Sequence, residues 1–280
     1  SIKVITLPQT GGPARARNTG ARAAKGDILF FVDADVTIPP DTLSHIHGVF
    51  QDDASLAAVF GSYDDAPAET NFFSQYKNLF HHYVHQTASE QASTFWGACG
   101  AIRREIFWEI GGFDETYRHA CIEDIELGYR VKKAGYRIRL LKELQVKHLK
   151  RWGFISLLKA DLFYRAFPWS RLILRKKPMI NDLNLKMSHR LSGILVWVGV
   201  LFSPIIFYTS WILLAIFGMI MALLTLNWDL YRFYMSKRGF LFTLRAVPCH
   251  WLYYLYSTAA FGLVLAYNQL SKIGSLFRTS

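Results

Sequence analysis

The 280 residues carry a formal charge of +11, yet half of them are apolar and Trp, Tyr and Phe make up 15%. A basic and strongly apolar chain fits a membrane surface better than nucleic acid, and nucleic-acid binding is set aside. Cys99, Cys121 and Cys249 are odd in number and contain no Cys-x-x-Cys pair, which excludes a disulfide framework and a cysteine zinc site and suits a reducing compartment.

The first elements alternate helix and strand in the manner of an α/β sheet. Arg15 to Lys25 is predicted as an Ala-rich helix stopped by Gly26. Upstream, Gly12 to Gly20 places Arg15 and Arg17 at a helix start, a setting that attracts phosphate oxygens or is simply an exposed basic turn. Ile28-Leu29-Phe30-Phe31-Val32 then reads as a buried strand running into Asp33-Ala34-Asp35. Ligands of open α/β sheets bind at the carboxyl ends of strands, and two hard oxygen ligands there suit Mg²⁺ or Mn²⁺ carrying a diphosphate. Pro39-Pro40-Asp41 opens a helix to about Phe50, and Leu56 to Gly61 is a second strand.

Asp64-Asp65 reads as a loop, followed by an aromatic-rich helix from Thr70 to Thr87. His81 and His85 have the i, i+4 spacing of metal ligands, but no carboxylate accompanies them, so a surface or interfacial helix is expected. Ala98 to Arg103 is a strand. Before it, Trp96 offers a ring face for a sugar, and Gly97 lets the backbone approach a sugar or diphosphate; strand packing is the alternative. Glu123 to Ala134 is a helix ended by Gly135, with Glu123-Asp124 in its first turn as either a general base or a helix cap. Tyr136 to Val146 is the last strand. Beyond it, His148 is a candidate third metal ligand. Arg151 could neutralise a leaving diphosphate, and Trp152 could stack on an acceptor sugar or sit in a membrane interface.

The second half changes character. Leu157, Leu158, Leu162, Phe163 and Phe167 can share a helical face opposite Lys159 and Arg165, so residues 151–190 are expected to lie in the headgroup layer, with an ordinary amphipathic helix on a soluble core as the alternative. Leu191 to Leu226 contains no Lys, Arg, Asp, Glu or His. Basic residues flank the run on both sides (Arg175, Lys176, Lys177, Lys186 and Arg190; Arg232, Lys237, Arg238 and Arg245). Both ends should therefore face the cytoplasm, which requires a hairpin broken near Ser203-Pro204. With Val247 to Leu270 and its belt of Trp251, Tyr253, Tyr254 and Tyr256, three spans are expected, at 191–207, 209–226 and 248–270.

Taken in order, Arg17-Asn18, Asp33-Ala34-Asp35, Gly97 to Arg104, Gly111 to Asp114, Glu123-Asp124 and Val146 to His148 resemble the inverting glycosyltransferases of family 2, which have the GT-A fold. The resemblance runs from about Gly12 to Trp152. It implies a partial GT-A domain over residues 1–150 that lacks its first strands, because nothing before Ile2 supplies the family's opening strand and acids. It further implies a nucleotide-sugar donor held by Arg17, Asn18, Asp33, Gly97 and Arg151. Asp33, Asp35 and His148 would hold the metal and Asp124 would be the base, with Trp96, Asp114, Glu123 and Trp152 toward the acceptor. Arg151-Trp152 is also similar to the Gln-x-x-Arg-Trp motif of membrane-bound cellulose and hyaluronan synthases, with His148 where that Gln would stand. The expected protein is a multi-pass enzyme of the inner membrane that uses a lipid-linked acceptor at the cytoplasmic face. A processive synthase and a non-catalytic scaffold are the rivals.

Overall fold

A computed structural model describes residues 2–176, 183–204 and 211–276. The chain divides into two compact units, Ser1–Phe154 and Ile155–Ser280.

In the first unit the elements run α1 (Gly12–Ala23), β1 (Ile28–Val32), β2 (Val36–Thr37), α2 (Thr42–Asp52), β3 (Leu56–Tyr63), α3 (Phe72–Gln86), β4 (Gln91–Ala92), β5 (Cys99–Arg103), α4 (Arg104–Glu109), α5 (Glu123–Lys133) and β6 (Arg137–His148). The sheet order is β1-β5-β3-β6-β2, with β4 also on β6. Only β3 and β6 are parallel; the other pairings are antiparallel. Leu56 to Phe60 are buried throughout, as expected of a strand covered on both faces. The two-residue strands β2 and β4 and the six-residue α4 are too short to leave a periodic trace in sequence.

Two local expectations are corrected. Helix α1 starts at Gly12, with Pro13 in its first turn, and ends at Ala23, where Ala24 turns extended; Gly26 lies past the stop. Helix α3 is not a surface helix: His82 and His85 are buried with Tyr76, Leu79, Phe80 and Val84. Its aromatic richness is core packing, and burial lowers His85 to about 4, so it stays neutral at ordinary pH. Phe31 of β1 anchors a second cluster, with Phe107 and Phe113 at 5.5 and 5.1 Å between ring centroids. That cluster fixes the segment leading into α5 against the sheet.

The second unit holds α6 (Phe154–Lys159), a π-helical turn (Ala160–Ala166), α7 (Phe167–Lys176), α8 (Met187–Phe202), α9 (Trp211–Leu226) and α10 (Trp228–Leu276). The π turn shifts the phase of the expected apolar face. Leu157 is buried while Phe163 is exposed, and Asp161 turns inward, bound to Arg165 at 2.9 Å and to the Tyr256 hydroxyl at 2.8 Å. Gly239, at φ +79°, breaks the long α10. The 248–270 segment is thus part of a longer helical run, not an isolated element. No single helix among the described residues is long and apolar enough to cross a membrane. Trp211–Leu226 and Trp228–Ser271 meet that test only as a pair bent by 67°, and Met187–Phe202 is apolar but shorter. The end of the expected 191–207 span, the start of the 209–226 span and Lys177 lie outside the described residues.

Candidate active site

Strand pairing assembles the site. Strand β1 lies antiparallel to β5 with Val32 opposite Cys99, and the Asp33 N–H donates to the Ala98 carbonyl at 3.2 Å. The Asp33-Ala34-Asp35 turn therefore sits beside Trp96 and Gly97. Strand β2 pairs with β6 so that Val36 faces His148, and the Leu149 N–H donates to the Asp35 carbonyl at 2.8 Å. Residues far apart in sequence are thus brought together at one end of the sheet. His148 Nε2 lies 3.9 Å from Asp35 Oδ2, and Lys150 Nζ lies 3.6 Å from the same oxygen.

Arg17 enters from α1. Its guanidinium forks between Asp33 at 2.6 Å and Glu123 at 2.7 Å, with its carbon 5.3 Å from the centroid of the Phe113 ring. Gly97 makes this possible, since a Cβ there would lie 3.1 Å from the guanidinium carbon. The nearby acids hold Arg17 firmly in its charged form against the cost of burial. Glu123 is buried, and its second oxygen accepts the Cys121 N–H at 2.8 Å. Each of its oxygens accepts one hydrogen bond within the protein, so Glu123 braces Arg17.

Asp124 is different. Its Oδ2 accepts the Gly97 N–H at 3.0 Å and its Oδ1 the Ile125 N–H at 2.8 Å. Loss of water is the main force raising its pKa, and the adjacent Glu123 adds repulsion. The two N–H groups and Arg17 oppose them, and the result is about 6. A carboxylate poised there is ionised at neutral pH yet basic enough to take a proton.

The remaining sequence candidates fall into separate places. Asn18 is buried, and its amide clamps Phe113 on both sides, accepting from its N–H at 2.9 Å and donating to its carbonyl at 2.8 Å. It also donates to Glu115, so its polar atoms serve the fold in place of the donor role expected of them. Asp114 accepts the Thr116 N–H in a local turn. Trp96 packs edge-on to Tyr63 at 4.7 Å. Trp152 is buried, tied through its backbone to Ser74 and Asn71, with Lys150 Nζ 4.7 Å from its ring centroid. Arg151 is exposed and pairs with Glu69 at 3.2 Å.

As a metal site, the expected trio is reduced. Asp33 is taken by Arg17, and among the described residues no group of three His, Cys, Asp or Glu is placed to hold a metal ion. Asp35 and His148 do fit a divalent cation that keeps water and phosphate oxygens in the rest of its shell. The contacts of Asp35 exceed hydrogen-bond distance, so its lone pairs remain open. Sequence reasoning gave no role to Tyr63 or Lys150; a single aromatic or lysine beside a motif carries no spacing signal.

Known proteins match the same region. Residues 1–111 match the family model described as Glycosyl transferase family 2, and residues 78–152 match one described as N-terminal domain of galactosyltransferase. The pre-mycofactocin glycosyltransferase of Mycobacterium tuberculosis is 30% identical over 173 residues, covering 58% of this chain and 35% of the relative. The N-acetylglucosaminyl-diphospho-decaprenol L-rhamnosyltransferase of the same species is 41% identical over 54 residues, 19% of this chain and 17% of the relative. The mannosyltransferase PcManGT of Pyrobaculum calidifontis, solved with GDP-Man and Mn²⁺, is 17% identical at a TM-score of 0.48, covering 89% of this chain and 66% of that one. The family matches support a GT-A glycosyltransferase fold for the first unit. The chain spans about a third of the length of the first curated relatives it matches.

Proposed function

We propose that the chain belongs to an inverting glycosyltransferase that moves a sugar from a nucleotide-sugar donor to a lipid-linked or membrane-proximal acceptor. The observation that carries this reading is Asp124, held by the Gly97 N–H at 3.0 Å beside the Arg17 fork, with its pKa raised to about 6. Asp124 takes the proton of an acceptor hydroxyl. The freed oxygen bonds to the anomeric carbon from the face opposite the diphosphate, whose bond to that carbon breaks with the electron pair. One displacement inverts the configuration. Arg17 pairs with Asp33 and Glu123, and Asp124, whose proton affinity is raised, is the carboxylate assigned the proton transfer. A divalent cation held by Asp35 and His148 would offset the charge that gathers on the leaving diphosphate. In this reading Arg151, exposed and paired with Glu69, would add a second positive charge.

A lipid-borne acceptor is supported by the likeness to the decaprenol-linked rhamnosyltransferase and by the basic, apolar stretch from Phe154 to Lys176. In this reading the second unit is the multi-pass anchor in the inner membrane and the catalytic unit faces the cytoplasm. The test uses membranes containing the full-length gene product, with and without Mn²⁺. A panel of labelled nucleotide-sugars is supplied and label is followed into the lipid-extractable fraction. Metal-dependent transfer that Asp124→Asn abolishes, with donor binding retained, is the expected result. Label in insoluble polymer would point to a processive synthase, and no transfer from any donor to a scaffold.

A further inference from the structure

We infer that Tyr63 is a positioning residue that holds His148 beside Asp35 and, through Trp96, ties that end of the site to the Gly97–Asp124 end. The inference rests on the glycosyltransferase reading above, because it gives His148 a cation to hold.

Tyr63 closes β3, opposite Val146 on the parallel ladder and two residues short of His148. The ladder shifts register between Phe60 and Ser62, where a Cβ on Gly61 would lie 2.3 Å from the Leu144 carbonyl oxygen. Only glycine permits that close approach, and the shift sets where the end of β3 meets β6. The Tyr63 backbone is fixed as well: its carbonyl lies 2.7 Å from His82 Nδ1, and the next N–H, from Asp64, donates to the Val146 carbonyl at 2.9 Å.

The ring so placed has a neighbour on each side. It stacks on the His148 imidazole at 4.2 Å between centroids and 18° between planes. It meets Trp96 edge-on at 4.7 Å and His81 at 4.9 Å. Trp96 precedes Gly97, whose N–H binds Asp124. A continuous packed path therefore runs from Asp35 through His148, Tyr63 and Trp96 to the base. An imidazole can turn about its side-chain bonds. A flat ring stacked against it restricts that motion, and groups that orient a metal ligand commonly change metal affinity 10- to 100-fold when removed.

The test is Mn²⁺ binding to the full-length protein in detergent, followed by electron paramagnetic resonance, which reads the cation without turnover. Tyr63→Leu should weaken binding on the order of 10-fold, with Tyr63→Phe restoring it to within about 2-fold because the flat ring is kept. Should Tyr63→Leu not accumulate as folded protein, Tyr63→Met fills the volume without a flat face and should show the same loss. Unchanged binding in a folded Leu or Met variant overturns the inference alone, as does an equal loss in Tyr63→Phe. Wild-type protein that binds no Mn²⁺ overturns both the inference and the cation site on which it rests.

Discussion

Asp124→Asn should make the first unit more stable while abolishing transfer, and the gain should depend on pH. Folding carries this carboxyl from its ordinary 3.8 to about 6, so the folded state favours the protonated acid. Between those values the folded chain binds more protons than the unfolded chain, and stability falls as pH rises. The loss begins near pH 4 and is complete above about 6. A difference of this size corresponds to about 3 kcal/mol at 1.36 kcal/mol per tenfold change in proton affinity. Asn keeps an acceptor for the Gly97 N–H but turns its NH2 toward the Ile125 N–H, so it should recover part of that penalty. At roughly 2–4 °C per kcal/mol for a unit of this size, the variant should melt on the order of 5 °C higher near pH 8. Near pH 4 the wild-type side chain is itself protonated and the two melting curves should nearly meet. Thermal unfolding of both full-length proteins in detergent across that range supplies the measurement. A variant no more stable than wild type near pH 8, or a gap that stays constant with pH, would refute the electrostatic account of Asp124.

The same proton governs rate: kcat/KM should be flat above about pH 6 and fall tenfold per pH unit below it, whereas a profile level down to pH 5 would remove Asp124 as the base. Asn18→Ala leaves the buried Phe113 N–H and carbonyl without the clamp, at about 1–3 kcal/mol for each lost partner; chemical denaturation should report the loss while donor KM stays unchanged. Asp35→Asn should weaken Mn²⁺ binding far more than Asp33→Asn, because Asp33 is already committed to Arg17; electron paramagnetic resonance of the two variants orders them, and equal losses would return Asp33 to the metal.

Much of the first unit was legible because its signals are local. The apolar run Ile28–Val32 ending in two acids, and the acids opening α5, each lie on consecutive residues, and the structure places them at one sheet end. What was not legible depends on partners distant in sequence. Arg17 looks like a phosphate ligand until Asp33 and Glu123 are seen to take both ends of its fork, 16 and 106 residues away. Asn18 looks like a site residue until its amide is found on the Phe113 backbone. Periodicity also gave no warning of the π turn at Ala160–Ala166, which puts Asp161 inside and Phe163 outside, because one widened turn changes the phase of every later side chain.

The two aspartates of the Asp33-Ala34-Asp35 turn therefore differ in chemistry although the motif presents them alike. Asp33 meets a guanidinium at 2.6 Å, a charge-assisted bond on one of its two oxygens. Asp35 faces an imidazole at 3.9 Å and an ammonium at 3.6 Å, both too far for a hydrogen bond. An ion drawn to this edge finds one carboxylate that already shares an oxygen with Arg17 and one whose contacts lie beyond hydrogen-bond distance. On the other side of Arg17, Glu123 is bound by Arg17 and the Cys121 N–H, while Asp124, held by the Gly97 and Ile125 N–H groups, has a raised proton affinity. One arginine thus engages one acid of each pair. The acids left active are Asp35, where charge on a leaving group would gather, and Asp124, where a proton would be removed.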